Sequence, residues 1–225
     1  MSKTLLVVGA SRGIGGAIAQ HFDNRGHKIY AVSRTTAQAG NWISADVSTK
    51  SGIQTIAQAI GSEPLDALLY MGGVWEKNAF TDNFDFRDST AEETRFVLAV
   101  NLIAPIELTK VLAKNLSIAE NPRAIYIGAL SGLAQSASPE VANTASKFGL
   151  RGAVQALRLA LKQEKIGFTV INPGNIATEE VIADIEEGRF SQQTPIPISD
   201  LIETVEWILA RSPALDVGEI NLFQK

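Results

Sequence analysis

Asn143 and Lys147 lie four residues apart in the stretch Val-Ala-Asn-Thr-Ala-Ser-Lys that runs from Val141 to Lys147. On a helix that spacing stacks both side chains on one face, one turn apart. A carboxamide donates and accepts hydrogen bonds and an ammonium carries charge, so the pair can hold and polarise an oxygen atom. Asn143 cannot release a proton near neutral pH, so it is no general acid. The plain alternative is that the two residues begin an ordinary helix.

A second group with chemical potential is Gly9, Gly13 and Gly15, spaced G-x-x-x-G-x-G with Ser11, Arg12 and Ile14 between them. Glycine allows a tight turn and lets backbone N–H groups approach a pyrophosphate closely. A helix start adds a dipole that favours the anion. Glycines of this kind also serve helix-on-strand packing alone. Here an apolar strand pattern precedes them and a helical one follows, which is the context a dinucleotide needs.

NAD binders commonly place an acid after the second strand, on the ribose hydroxyls. In this chain the position reads Ser33-Arg34-Thr35-Thr36. Arg34, with Arg12 nearby, suits the extra phosphate of NADP; the plainer alternative for Arg34 is a solvated surface residue. Asp46, after the third strand and next to Val47, either caps a turn or meets the adenine. Trp75, Phe80, Phe84 and Phe86 either line an apolar pocket or seal a core edge, and Asp82, Asp85 and Asp88 read as solvated. Tyr70, at the end of strand four, is a packed aromatic or an acid; Tyr30 and Tyr126 lie within strands and read as packing. His21 and His27 precede the sheet's carboxyl edge and read as structural.

The elements that must position these groups alternate. Strand patterns fall at 3–9, 27–33, 42–47, 64–73, 123–130, 167–174 and 215–223, and helical ones at 13–25, 51–60, 91–116, 142–165 and 198–212. Pro105 predicts a bend inside 91–116, and Ser199 or Asp200 caps the last helix. Such alternation predicts an α/β chain: a Rossmann-type, doubly wound, mostly parallel seven-stranded sheet with helices on both faces. The strands lack strict polar alternation, as fits burial on both faces. Residues 74–90 and 174–197 carry no clear regular pattern, and both follow strands, so both belong at the carboxyl edge where ligands bind.

The 225 residues, 45% hydrophobic and 20% charged, fit one domain that also carries the substrate site. A net charge of −4 gives no electrostatic reason for nucleic acid or an anionic membrane as partner. With no cysteine, disulfides, thiol chemistry and thiolate metal sites are excluded. The start, Met-Ser-Lys-Thr-Leu-Leu-Val-Val-Gly-Ala, is too short an apolar run for a signal peptide, and no stretch reads as long enough for a membrane span. A cytoplasmic protein is expected.

Taken in order, Gly-Ala-Ser-Arg-Gly-Ile-Gly (9–15), Ala-Asp-Val (45–47), Val-Asn-Leu (100–102), Ala-Ser-Lys (145–147) and Asn-Pro-Gly-Asn-Ile-Ala-Thr (172–178) resemble the short-chain dehydrogenase/reductase family over almost all of the chain. The resemblance implies an oxidoreductase whose chemistry needs Asn, Ser, Tyr and Lys. It implies that Asn101 and Lys147 are retained, with Lys147 on the nicotinamide ribose. The tyrosine position of Y-x-x-x-K is Asn143. Counting back from Gly132, the serine position is Ala129, with Ser131 able to substitute if the turn is rearranged. The family's N-N-A-G is altered to Tyr70-Met71-Gly72-Gly73, residues that would still border the cofactor. Pro173, Gly174 and Ile176 would shape the nicotinamide pocket, and Thr178 would contact the cofactor's amide or phosphate. A positioned acid is typically worth about 10²–10⁴ in rate, so loss of the phenol leaves two readings. One is an NADP-dependent oxidoreductase on a carbonyl or alcohol with an atypical or impaired proton donor. The other is a non-catalytic NADP(H)-binding sensor or partner module. Apart from these stands a different reaction in which Tyr70 is the acid. The family also implies a homodimer or homotetramer through the helices at 91–116 and 142–165.

Overall fold

A computed structural model describes residues 2–225. Seven parallel strands run in the order β3-β2-β1-β4-β5-β6-β7: β1 Thr4–Val8, β2 Lys28–Ser33, β3 Asn41–Ser44, β4 Ala67–Tyr70, β5 Arg123–Ile127, β6 Gly167–Pro173 and β7 Glu219–Leu222. The sheet is wholly parallel, where a mostly parallel one was expected. Helices α1 Gly13–Asn24, α2 Lys50–Ile60, α3 Ala91–Leu98, α4 Ala104–Ser117, α5 Val141–Ala160, α6 Glu179–Glu186 and α7 Ile198–Leu209 connect the strands.

Successive strand residues point to opposite faces, and both faces are apolar. Leu5, Val7, Leu69 and Ile125 join α1 and α7 in one core. Leu6, Val8, Leu68, Tyr70 and Tyr126 join α2, α4 and α5 in the other. The missing polar alternation has this cause: neither face of the central strands β1, β4, β5 and β6 meets water. The chain leaves β1 towards β2 and β3 on one side, then crosses back to β4 on the other. The carboxyl ends of β1 and β4 therefore flank the switch point, where such sheets bind ligands.

Four expectations are refined or corrected. The helix at 91–117 carries a π turn at Ala99–Ile103, just upstream of Pro105, in which Ala104 N–H reaches back to Ala99 O. Pro105 has no N–H to continue the ordinary ladder, so the preceding turn widens. Residues 174–197 contain α6, and its start was legible: Thr178 accepts from Val181 N–H at 3.3 Å, with Glu179 and Glu180 in the first turn. Helix α7 begins at Ile198 with Pro197 flanking it, so Ser199 and Asp200 lie inside its first turn and do not cap it. The continuous helix Ala91–Ser117 is also long and apolar enough, by length and composition, to cross a membrane, which overturns the reading that no stretch is. In this fold Val97, Leu108, Leu112 and Leu116 are buried inside the protein, as in a core helix.

Gly9 (φ +84°) and Gly15 make the turn between β1 and α1 possible. A Cβ on Gly9 would sit 2.6 Å from Gly72 Cα, and one on Gly15 would sit 2.3 Å from Gly9 O. Gly16, one residue on, has nothing closer than 3.5 Å. Gly15→Ala should therefore push α1 off β1 and destabilise the protein by about 1–3 kcal/mol in urea unfolding. Gly16→Ala should be neutral or stabilise by up to about 1 kcal/mol through helix propensity. Equal effects at the two positions would contradict this packing.

Candidate active site

A cleft of about 530 Å³ opens at the carboxyl edge of β1, β2, β4, β5 and β6. At its centre is the start of α1. Arg12 flanks this helix and makes no side-chain cap, so the first-turn N–H groups of Gly13, Ile14 and Gly15 lack the side-chain acceptor that Thr49 provides for α2, Thr90 for α3 and Thr178 for α6. These three donors and a positive dipole end form a place for an anion. Gly13 has no Cβ and only Glu180 and Thr178 within 4 Å of where one would stand. The site fits the pyrophosphate of a dinucleotide on this observation.

Arg12 Nε is paired with Glu180 Oε1 at 2.8 Å, so the cation expected to meet a phosphate is here held by a carboxylate from α6. The helix end attracts negative charge and, in this state, Glu180 supplies it. Both side chains are largely exposed, and such pairs are worth about 0–1 kcal/mol; a multiply charged phosphate can displace one. Arg34 lines the cleft and lies over the Phe96 ring, 5.8 Å from its centroid. Of the two roles open to Asp46 in the sequence, the structure shows the cap. Its Oδ1 accepts from Ser48 N and Oγ at 2.9 and 2.7 Å, capping the turn into α2, while the residue also lines the cleft. Val47, Met71, Gly72, Gly73, Pro173, Gly174, Ile176 and Thr178 line it as well.

At the other end α5 brings Asn143 and Lys147 to one wall, as the four-residue spacing predicts. Asn143 is 3% exposed, and its carboxamide lies at the cleft with no hydrogen bond to any described residue, so both its donor and its acceptor are available. Lys147 is 7% exposed, and Nζ donates to Ile127 O at 3.2 Å. Burial without a carboxylate partner lowers its pKa from 10.5 to about 8. Ser131, on the turn after β5, lines the cleft with a buried hydroxyl that has no partner among the described residues. Ala129 lines it too, and a Cβ on the preceding Gly128 would lie 2.0 Å from Asn172 Oδ1, so that side chain would have to shift.

Asn101 is the one expected site residue that does not line the cleft. The π turn aims its carboxamide at the loop after β4, where Nδ2 donates to Val74 O at 2.7 Å and Oδ1 accepts from Val74 N at 2.9 Å. A further bond runs from Nδ2 to Ser146 Oγ at 3.2 Å. Asn101 thus ties the loop at 74 to α5. Tyr70 is removed from the list of acids: it is 1% exposed, its hydroxyl donates to Val100 O at 2.6 Å, and burial raises its pKa. Tyr30 bonds Glu63 and Tyr126 bonds Thr109, both away from the cleft. His27 Nδ1 accepts from Lys3 N and His21 meets Glu206, at the opposite edge of the sheet.

Sequence reasoning missed two carboxylates. Glu76 is 2% exposed and accepts from Ala142 N at 2.6 Å and Asn143 N at 3.2 Å, capping α5 from the loop after β4. Glu140 is 3% exposed and accepts from Phe80 N at 2.8 Å. No local pattern announces a cap that comes from 66 residues away.

The folded pKa of Lys147 lies below its unfolded value. Between about pH 8 and 10.5 the unfolded chain keeps a proton that the folded chain has released, so stability rises with pH across that window. The full rise is on the order of 3 kcal/mol. Lys147→Met should be more stable than the parent at about pH 7, with the gap closing towards about pH 10. Urea unfolding at both pH values measures this, and a gap that does not change with pH would contradict a strained, buried ammonium.

Comparison with known proteins agrees with the geometry. Residues 3–187 match the family described as short chain dehydrogenase. A 3-oxoacyl-(acyl-carrier-protein) reductase of Escherichia coli is 28% identical over 211 residues, 88% of this chain and 84% of that protein. A probable tetrahydroxynaphthalene reductase of Zymoseptoria tritici is 26% identical over 187 residues, 79% and 69% of the two chains. Among solved structures, 4-hydroxyisoleucine dehydrogenase complexed with NADH superposes with a TM-score of 0.80 at 20% identity, covering 99% of this chain and 98% of that one. ElxO with NADP bound gives 0.84 at 16% identity, covering 99% and 97%. These two show the shared fold, and the sequence match over most of its length shows the lineage: the chain belongs to the short-chain dehydrogenase family of NAD(P)-dependent oxidoreductases acting on carbonyl and alcohol groups.

Proposed function

We propose that this chain is an NADP(H)-dependent reductase of a carbonyl compound in which Asn143 and Lys147 together take over from the family's phenol. The observation that carries the reading is the Asn143 carboxamide, buried at the cleft wall with donor and acceptor both free, one helical turn from an ammonium whose pKa is lowered to about 8. The cradle at α1 fits the cofactor's pyrophosphate, and Arg34 in place of an acid after β2 favours the 2′-phosphate of NADP over a free ribose hydroxyl.

When bound, the nicotinamide supplies or accepts the hydride. Everything else falls to the chain. Asn143 Nδ2 donates a hydrogen bond to the substrate oxygen and favours the charge that grows on it. Ser131 Oγ, buried and without a partner, is a second donor on the same wall. Lys147 Nζ is the titratable group beside Asn143, and it gives up the proton that the reduced oxygen takes, to be reprotonated from solvent. Asn101 and Glu76 hold the loop and helix that set these distances. A second reading, cofactor binding without turnover, rests on Ala129 and Asn143 together.

Two outcomes are expected. NADP(H) should bind more tightly than NAD(H) in calorimetry, and Arg34→Ala should weaken NADP(H) about 10–100-fold, as loss of a charge-assisted bond does, while sparing NAD(H). Equal weakening of both cofactors would remove the 2′-phosphate role. Purified protein should oxidise NADPH only when a carbonyl compound is present, Lys147→Ala should abolish this, and Asn143→Tyr with Ala129→Ser should raise it by about 10²–10⁴-fold. Activity in that double variant alone would favour the binding reading; none in either would mean a pocket rebuilt for other chemistry.

A further inference from the structure

Two loops that share no sequence neighbourhood bring three aromatic rings to one wall of the cleft. Trp75 and Phe80 come from the segment after β4, and Phe190 from the segment after α6; all three line the cavity that holds Asn143. Trp75 and Phe80 meet at 63° with centroids 6.0 Å apart, and Phe80 and Phe190 at 86° with centroids 6.3 Å apart. These are edge-to-face contacts, which leave ring faces free. Trp75 is 56% exposed and Phe80 40%. Rings gathered only to seal a core would be covered.

The backbone is constrained to present them. Phe80 has φ +64° and Asn78 φ +59°, in the left-handed region that a bulky residue rarely enters. Such a conformation costs free energy and persists where its surroundings over-determine it, most often at a ligand site. Here the surroundings do so. Glu140, buried, accepts from Phe80 N; Glu76, buried, binds the start of α5; and Asn101 clasps Val74 on both sides. The stretch from Val74 to Phe80 is fixed at both ends and in the middle to the helix that carries Asn143.

The charges at the rim are cancelled in pairs: Glu180 by Arg12 and Asp184 by Arg189. Lys147 points to Ile127 O. The three rings are themselves uncharged, which favours a neutral ring over a charged group against them, while the cations Arg34 and Lys147 line other parts of the same cavity.

We propose that Trp75, Phe80 and Phe190 select a neutral substrate with a planar aromatic ring next to its reacting carbonyl, the ring lying against these side chains while the oxygen meets Asn143. The proposal rests on the function above and names its substrate class. Three probes test it by quenching of tryptophan fluorescence, assigned with Trp75→Phe: 2-acetonaphthone, the flexible 2-dodecanone, and the anionic 4-acetylbenzoate. The protein saturated with NADP+ should bind 2-acetonaphthone at least about tenfold more tightly than either of the others, the size of an aromatic contact of about 1.4 kcal/mol. Phe190→Ala and Phe80→Leu should each weaken it about tenfold while leaving NADP+ affinity unchanged. Phe80→Gly, which suits the positive φ, should weaken it as much without lowering the Tm, so loss of binding is separated from loss of fold. Equal affinity for 2-dodecanone or 4-acetylbenzoate, or variants that bind 2-acetonaphthone like the parent, would overturn the assignment. Because binding is read without turnover, tight binding with no reduction would count against the proposed reaction and leave the aromatic selection standing.

Discussion

The structure depends on a contact made almost without side chains. Gly9 and Gly72 bring the ends of β1 and β4 so close that a single Cβ on Gly9 would fall inside the Gly72 backbone, and Gly15 brings α1 down onto the same turn. That approach does two things at once. It seats the first helix on the sheet, and it leaves the N–H groups at the helix start uncovered at the switch point between the two halves of the sheet. An anion site there is a by-product of how tightly backbone packs on backbone. The cleft, the position of α5 across from it and the loops above it all follow from that geometry.

The reactive end is organised by carboxylates and amides in positions set by distant parts of the chain. Asn143 lies in the first turn of α5, and what holds that turn is Glu76 from the loop after β4, with its oxygens on the N–H groups of Ala142 and Asn143. A negative side chain at a helix N-terminus is favoured both as an acceptor and by the dipole. Asn101 holds the other end of that loop, from a π turn that exists because Pro105 cannot donate. Asn143 therefore stands in a scaffold kept rigid around it. A non-ionising side chain meets the cleft, and the buried ammonium of Lys147 is the neighbouring group that titrates.

Much of this was readable from residue order. Strand runs such as Leu5–Val8 and Ala67–Tyr70 lack polar alternation because both faces are covered, which identifies a parallel sheet with two helical layers. Glycine spacing after the first of them located the tight turn into α1, and the i, i+4 spacing of Asn143 and Lys147 placed them on one wall. Helix α6 carried its own signal in Thr178 followed by two acids, a signal hidden by the expectation of a loop after Pro173 and Gly174. Other features were not local. Nothing near Glu76 or Glu140 says that they cap or brace elements about 60 residues away in sequence. The left-handed conformation of Phe80 is imposed by those tertiary bonds against its own preference. The pairing of Arg12 with Glu180 likewise depends on where the fold puts α6.

The claim at the centre is that a nicotinamide dinucleotide lies along this cleft with its reactive end at Asn143. Protein labelled with ¹⁵N-asparagine gives one side-chain amide signal per asparagine, and Asn143→Asp identifies the signal of interest by its loss. On titration with NADP+ the Asn143 amide should shift in step with cofactor binding, and the Asn115 amide, bonded to Gly61 and Glu63 at the far end of α4, should not. A cofactor that binds while the Asn143 signal stays where it was would place the nicotinamide elsewhere and contradict the account.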